Sequence, residues 1–86
     1  MQVKAYQKFK ECYLKLPSAV RKKIDKQIRL LAVNFRHPSL HCKKMQGWAG
    51  VWEARVDEKY RMTFEIIGDT IFLRVVGNHD EALKNP

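Results

Sequence analysis

Acidic residues are scarce in this chain: nine Asp and Glu stand against seventeen Lys and Arg, for a formal charge of +8 over 86 residues. That balance makes an acidic protein, a nucleic-acid backbone or an anionic membrane surface the leading partner classes. Cysteine is scarce too. Cys12 and Cys42 make no CxxC pair and are too few for a disulfide framework. The longest purely aliphatic run, Leu30-Leu31-Ala32-Val33, is far short of a membrane span. The opening residues Met1-Gln2-Val3-Lys4-Ala5-Tyr6 contain no apolar h-region and no cleavage signal. A cytoplasmic protein with reduced cysteines and no membrane partner is therefore expected. There is no P-loop, no GxGxxG, no internal repeat and no low-complexity segment. The length fits one domain, 1–86. A chain this short buries only about 60–65% of its unfolded surface, so a large cofactor pocket beside a full core is not expected. No cofactor is predicted.

His37, His41 and Cys42 are the only residues that invite a metal reading. Pro38 disfavours a helical His37-x3-His41 face, and no second ligand cluster follows. The expectation is a plain turn with solvated histidines.

The charge is uneven. Residues 1–47 hold twelve basic and two acidic groups, and residues 48–86 hold five basic and seven acidic groups. Taken alone, this puts a nucleic-acid site in the first half.

Two helices are predicted first. Ala5, Phe9, Cys12, Tyr13 and Leu16 recur at helical spacing over 6–15. Pro17 interrupts and suits the first turn of a second helix. Val20, Ile24, Ile28, Leu31 and Phe35 form the next stripe over 18–34, with Arg21, Lys22, Lys26 and Arg29 on the opposite face. An αα-hairpin follows from this, and Met1–Lys4 is a candidate short strand. After a loop over 36–50 the period changes to two, and strands are expected over 51–56, 60–67 and 70–76. Gly68-Asp69 is a two-residue hairpin turn and Asp57-Glu58-Lys59 a three-residue one. The fold class is thus α+β: a short N-terminal strand, an αα-hairpin, and a three-stranded antiparallel meander packed on the helices.

The turns set the register, and the register sorts the side chains. Trp52, Ala54, Val56, Tyr60, Met62, Phe64, Ile66, Ile71, Leu73 and Val75 share the face toward the helices. Glu53, Arg55, Arg61, Thr63, Glu65, Phe72, Arg74 and Val76 share the open face. Arg55 falls opposite Arg61, Arg74 opposite Thr63, and Val76 opposite Arg61. Like charges facing each other destabilise a sheet unless an anion sits between them. His79 should emerge near the Arg55 and Arg61 end. Histidine with several arginines and no metal motif suits phosphodiester chemistry: the guanidinium fork grips a phosphate and imidazole moves a proton near neutrality. With RNA the 2′-hydroxyl can be the nucleophile, so neither a covalent residue nor a metal is needed. Lone groups of each kind are ordinarily structural or solvated, and Glu53 beside Arg55 reads first as a surface ion pair.

The order of elements resembles the RelE/ParE toxin superfamily over nearly the whole chain. The resemblance rests on Leu16-Pro17, the Leu30–Phe35 helix end, Lys43-Lys44-Met45-Gln46-Gly47, Trp52-Glu53-Ala54-Arg55-Val56, Tyr60-Arg61 and Val76-Gly77-Asn78-His79-Asp80. It implies a toxin of a type II toxin–antitoxin system. In the RelE branch such toxins are ribosome-dependent endoribonucleases that cleave mRNA through 2′-hydroxyl attack. The implied partners are a cognate antitoxin, the ribosome and mRNA. Arg61 matches the arginine that contacts the scissile phosphate, Arg55 a basic residue on the preceding strand, and His79 the histidine of the YafQ-like branch. His79, Arg61 and Arg55 are thus the catalytic candidates, with Glu53 a secondary base candidate and Asp80 and Glu81 able to orient His79 or end the strand. Arg74, Lys43, Lys44, Arg21, Lys22, Lys26 and Arg29 are RNA-binding candidates, those on the helices as a docking surface for ribosomal RNA. The chain departs from RelE in ending Leu83-Lys84-Asn85-Pro86 without a tyrosine, and in carrying Glu53 and Arg55 where RelE has two lysines. Leu83 occupies a position that is aromatic in the YafQ-like branch. Two other functions fit the same sequence: a ParE-like inhibitor of DNA gyrase that cuts nothing, and a non-catalytic RNA-binding module, against which the sparse aromatics of the open face count.

Overall fold

A computed structural model describes residues 1–86. The elements run β1 (Gln2–Ala5), α1 (Gln7–Leu14), α2 (Ser18–Val33), a 3₁₀ turn at Pro38–Leu40, β2 (Lys43–Lys44), β3 (Trp52–Arg55), β4 (Tyr60–Ile67), β5 (Thr70–Asn78) and α3 (His79–Lys84). The expected meander β3-β4-β5 is present, and the sheet is wider than expected. It has five strands in the order β1-β5-β4-β3-β2, with β1 parallel to β5 and the other pairs antiparallel. No helix is long and apolar enough to cross a membrane.

The helical stripes do what their spacing predicts. Phe9 of α1 and Ile24 and Leu31 of α2 are buried against Ala54, Met62, Phe64, Ile71 and Leu73, and Cys12, Tyr13, Leu16, Val20, Ile28 and Phe35 pack around them. Each large side chain so buried contributes about 1.5–3 kcal/mol. Trp52 stacks on Phe64 with centroids 6.1 Å apart and meets Phe35 edge-on at 5.6 Å. Pro17 is the residue just before α2 rather than part of its first turn, and its carbonyl accepts from Val20 and Arg21. The Asp57 turn is closed by its own carboxylate, which accepts from the Lys59 and Tyr60 amides at 2.8 and 2.9 Å. Gly68, at φ 61°, supplies the left-handed residue that the two-residue β4–β5 turn requires.

One register expectation fails. Ile67↔Thr70, Ile66↔Ile71 and Phe64↔Leu73 pair as expected, but the ladder then shifts, so that Thr63 faces Val75, Met62 faces Val76 and Arg61 faces Gly77. Arg74 is the extra residue of a β-bulge. It does not stand opposite Thr63, and Val76 does not stand opposite Arg61. The bulge exchanges the two valines: Val76 joins the core in place of Val75. The Thr63 hydroxyl accepts from the Val75 amide at 3.2 Å, satisfying a donor displaced by the shift.

The open face is also less open than expected. β5 runs on to Asn78, and α3 follows immediately, a helix the alternating pattern does not announce. Asn78 caps it, its side chain accepting from the Glu81 amide at 2.9 Å. Asp80 and Glu81 fill its first turn, and Lys84 its last. α3 closes onto the sheet over Gly77. A Cβ there would make ordinary van der Waals contact with Glu81, 3.5 Å from its Oε2 and 3.7 Å from its Cβ. Thr63 is accordingly fully buried on the face expected to be solvated.

Candidate active site

Strand alternation puts Lys43, Glu53, Thr63 and Val75 in one row across the outer sheet face, and Arg55, Arg61 and Gly77 in the next. Around these rows lies a cleft of about 380 Å³ lined by His41, Cys42, Lys43, Glu53, Arg55, Arg61 and His79. The three residues expected to meet there, Arg55, Arg61 and His79, do meet.

Each is positioned by a different element. Arg55 pairs directly with Arg61 in the β3–β4 ladder. Its carbonyl accepts from the Gln27 side chain at 2.9 Å, and the same amide nitrogen reaches Ser39 O at 3.4 Å. Gln27 is therefore buried in α2 and fixes the end of β3 to the 3₁₀ turn. Arg61 is braced by the neighbouring turn: one guanidinium nitrogen donates to the carbonyls of Asp57, Glu58 and Tyr60. His79 begins α3, and its amide donates to Lys59 O at 2.7 Å, which ties the helix start to that turn. The His79 ring lies 3.3 Å from the fully exposed Asp80 carboxylate.

Glu53 is only 7% exposed. It pairs across the strands with Lys43, at 3.1 Å, and not with Arg55 as its sequence position suggests. Its second oxygen, Oε2, is buried without a hydrogen-bond partner, and so is Arg55 Nε. A buried carboxylate oxygen with free lone pairs and a buried guanidinium donor are costly unless they serve something. Both belong to residues that line the cleft.

Six other candidates lie elsewhere. Arg74 leaves the arginine group because of the bulge; its guanidinium donates to Pro86 O at 3.0 Å and pairs with Glu65 at 3.5 Å. Lys44 points the opposite way from Lys43 and sits 5.5 Å over the Trp52 ring. Arg21, Lys22, Lys26 and Arg29 lie on α2, in the helix layer behind the sheet, and none lines the cleft. The expected grouping of Arg74 with Arg55 and Arg61 is thus corrected.

His41 was missed. It lines the cleft and holds a left-handed backbone, φ 45°, the one non-glycine residue with positive φ. Such strain clusters at working sites. Only the two-residue strand β2 brings it to the site, and no pattern in the loop announces that strand. His37, in contrast, is structural: its Nδ1 accepts from the Ser39 amide at 3.2 Å and caps the 3₁₀ turn. Burial pushes the Cys42 thiol up to about 11, so the cleft contains no thiolate near neutrality.

The cleft thus gathers two arginines and a lysine, two imidazoles and one carboxylate around a space open to solvent. It can hold an anion and move a proton on either side of it.

Comparison with solved structures places the fold. A YoeB/ParE toxin from Agrobacterium tumefaciens superposes with a TM-score of 0.78 at 16% identity, covering 92% of this chain and 99% of that one. A chain of the RelB-RelE antitoxin–toxin complex from Methanococcus jannaschii gives 0.77 at 24% identity, covering 96% and 99%. YafQ from E. coli gives 0.76 at 15%, covering 93% and 94%. The chain has the RelE/ParE toxin fold. No family model matches the sequence, and no curated protein matches it either. The likeness to these structures is one of fold. Within that fold the cleft lies on the outer sheet face, between α3 and the segment around β2.

Proposed function

We propose that the chain is the toxin of a type II toxin–antitoxin system and a ribosome-dependent, metal-independent endoribonuclease that cuts mRNA. The observation that carries this reading is the convergence of Arg55, Arg61, His79 and Glu53 on one cleft. The toxin fold supports the same class, and structures that share it include antitoxin complexes.

The chemistry needs a base, an acid and cations. The Glu53 carboxylate accepts the proton of the RNA 2′-hydroxyl. The freed oxygen attacks the adjacent phosphorus, and the charge gathering on the phosphorane is met by the Arg55 and Arg61 guanidiniums. The bond to the 5′-oxygen breaks as His79 donates its proton to that oxygen. The products are a 2′,3′-cyclic phosphate and a 5′-hydroxyl. Ionised carboxylate is acceptor-only and suits the base role, and His79, more than half exposed, can exchange protons with solvent. The antitoxin is read as an acidic or amphipathic protein that covers the positive surface, and the basic face of α2 as a docking surface for ribosomal RNA.

The test is to map RNA ends on translating ribosomes with wild-type protein, H79A and R61A. Growth arrest and codon-placed cuts with cyclic ends are expected, and both should vanish in the variants. Wild-type cleavage by both variants would sink the site assignment. Inhibited supercoiling by gyrase with translation untouched would establish the ParE-like alternative instead.

A further inference from the structure

A second cleft lies on the same sheet face as the first. It encloses about 370 Å³ and is walled by Tyr6, Lys8, Trp48, Arg74 and the Asn85-Pro86 end of the chain. Arg61 lines the first cleft. Glu65, which hydrogen-bonds Tyr6 and pairs with Arg74 beside the second, is four residues further along β4. Those residues face the same way, so the clefts are separated by about 13 Å along the strand. α3 connects them: it begins at His79 beside the first and leads into Asn85 beside the second.

The lining is unusual for a charged surface. Trp48 is 43% exposed and Tyr6 41% exposed. The Tyr6 ring lies nearly parallel to Phe72, 5.6 Å between centroids, so a stack already stands at the cleft wall. Glu65 holds both the Tyr6 hydroxyl and Arg74, which fixes a ring and a cation side by side. Lys8 adds a second cation. Exposed aromatic faces beside cations in a groove are how proteins grip single-stranded nucleic acid. The open face looked poor in aromatics because these two come from outside the meander: Trp48 from the loop before β3, and Tyr6 from the turn after β1.

We infer that this second cleft is a nucleobase subsite, in which Trp48 stacks on an unpaired base of the same RNA strand whose scissile phosphate lies at Arg55 and Arg61. The inference rests on the RNA reading above and names what that site would recognise beyond the phosphate. Arg74, displaced from the catalytic group by the bulge, then serves the flanking base. Stacking tolerates any base, so Trp48 contributes affinity and register more than sequence choice.

The experiment uses the full chain and a short single-stranded RNA made uncleavable by a 2′-deoxy nucleotide at the scissile position. A second oligonucleotide lacks the flanking base. Wild-type tryptophan fluorescence should be quenched by the first and much less by the second. The base-dependent quenching should be absent in W48F, which has lost the reporting indole but should still bind with near-wild-type affinity by anisotropy of a labelled oligonucleotide. W48A should bind roughly tenfold more weakly, the scale of one lost base stack. Equal binding of both oligonucleotides, or full affinity in W48A, overturns the inference; the latter also follows if Trp48 serves a protein partner. Absent cleavage by wild type on translating ribosomes, with base-dependent quenching of the oligonucleotide retained, removes the nuclease reading and leaves the subsite standing.

Discussion

Arg55 and Arg61 stand directly opposite each other on β3 and β4, and neither has a carboxylate within ion-pairing distance. Acids are nearby, but they are engaged: Glu53 holds Lys43 and Asp57 holds Lys23. The sheet therefore keeps two like charges in register, which costs about 0.2–1 kcal/mol relative to a neutral pair. An anion between them removes that cost.

Activity and stability should thus move in opposite directions at Arg55. R55A is expected to lower RNA cleavage by about 100-fold or more, on the scale of a lost transition-state donor. Its unfolding free energy in urea should be unchanged or higher by up to about 1 kcal/mol. R61K should restore little cleavage, because an ammonium keeps the charge and loses the fork. A large loss of stability in R55A would mean that the residue is a structural element.

The acid and base roles are separable by pH. A carboxylate base works only when deprotonated, so wild-type cleavage should rise with pH on the acid side. A histidine acid works only when protonated, so cleavage should fall on the alkaline side. E53Q should flatten the first limb and H79A the second, each with a rate loss of about 100-fold to 10,000-fold. Unchanged profiles in both variants would reassign the roles, and His41 is then the group to test.

The bulge rests on a single hydroxyl. Thr63 is fully buried and accepts from the Val75 amide. T63V keeps the shape and removes the acceptor, leaving a buried donor unpaired. It should lose about 1–3 kcal/mol in urea unfolding, and T63S should recover most of it. If the bulge relaxes in T63V, hydrogen exchange at Val75 and in α3 will rise together.

Acid should loosen the turn that braces Arg61. Burial by itself raises the Asp57 pKa, but the hydrogen bond from Lys23, the Tyr60 and Lys59 amides and the Lys23 charge outweigh it and hold the carboxyl below its ordinary value of 3.8. A carboxyl lowered on folding stabilises above its unfolded pKa and loses that effect as pH falls through the folded one. D57N should therefore be less stable than wild type at neutral pH. The difference should shrink only below about pH 4. Thermal unfolding of both proteins from pH 2 to 7 reads this directly.

Cys42 should be a poor nucleophile despite its place in the cleft. Burial holds its thiol near 11. Alkylation of Cys42 should be slow at neutral pH and accelerate toward that value, followed site by site with mass spectrometry. Rapid labelling near neutrality would show that an anion-stabilising charge reaches the sulfur.

Helix stripes, strand alternation and turn residues were legible because each is local. Phe9, Ile24 and Leu31 bury where their spacing put them, and Arg55 faces Arg61 because the Asp57 turn allows only that pairing. The fate of Arg74 was not legible. Val75 and Val76 are both apolar, so either register gives the core a valine, and alternation cannot choose between them. α3 was hidden by its six residues, too few for a helical period, and β2 by its two. His41 went with β2.

By itself the sequence determined the two layers of the fold and the pair of arginines with a histidine nearby. Local hydrophobic period and turn chemistry suffice for those. Only the tertiary structure decided which groups share the cleft. It did so through one extra residue in β5, a short helix closed over the sheet, and a two-residue strand at its edge. These are long-range choices among locally equivalent arrangements, and they are settled by what packs against what.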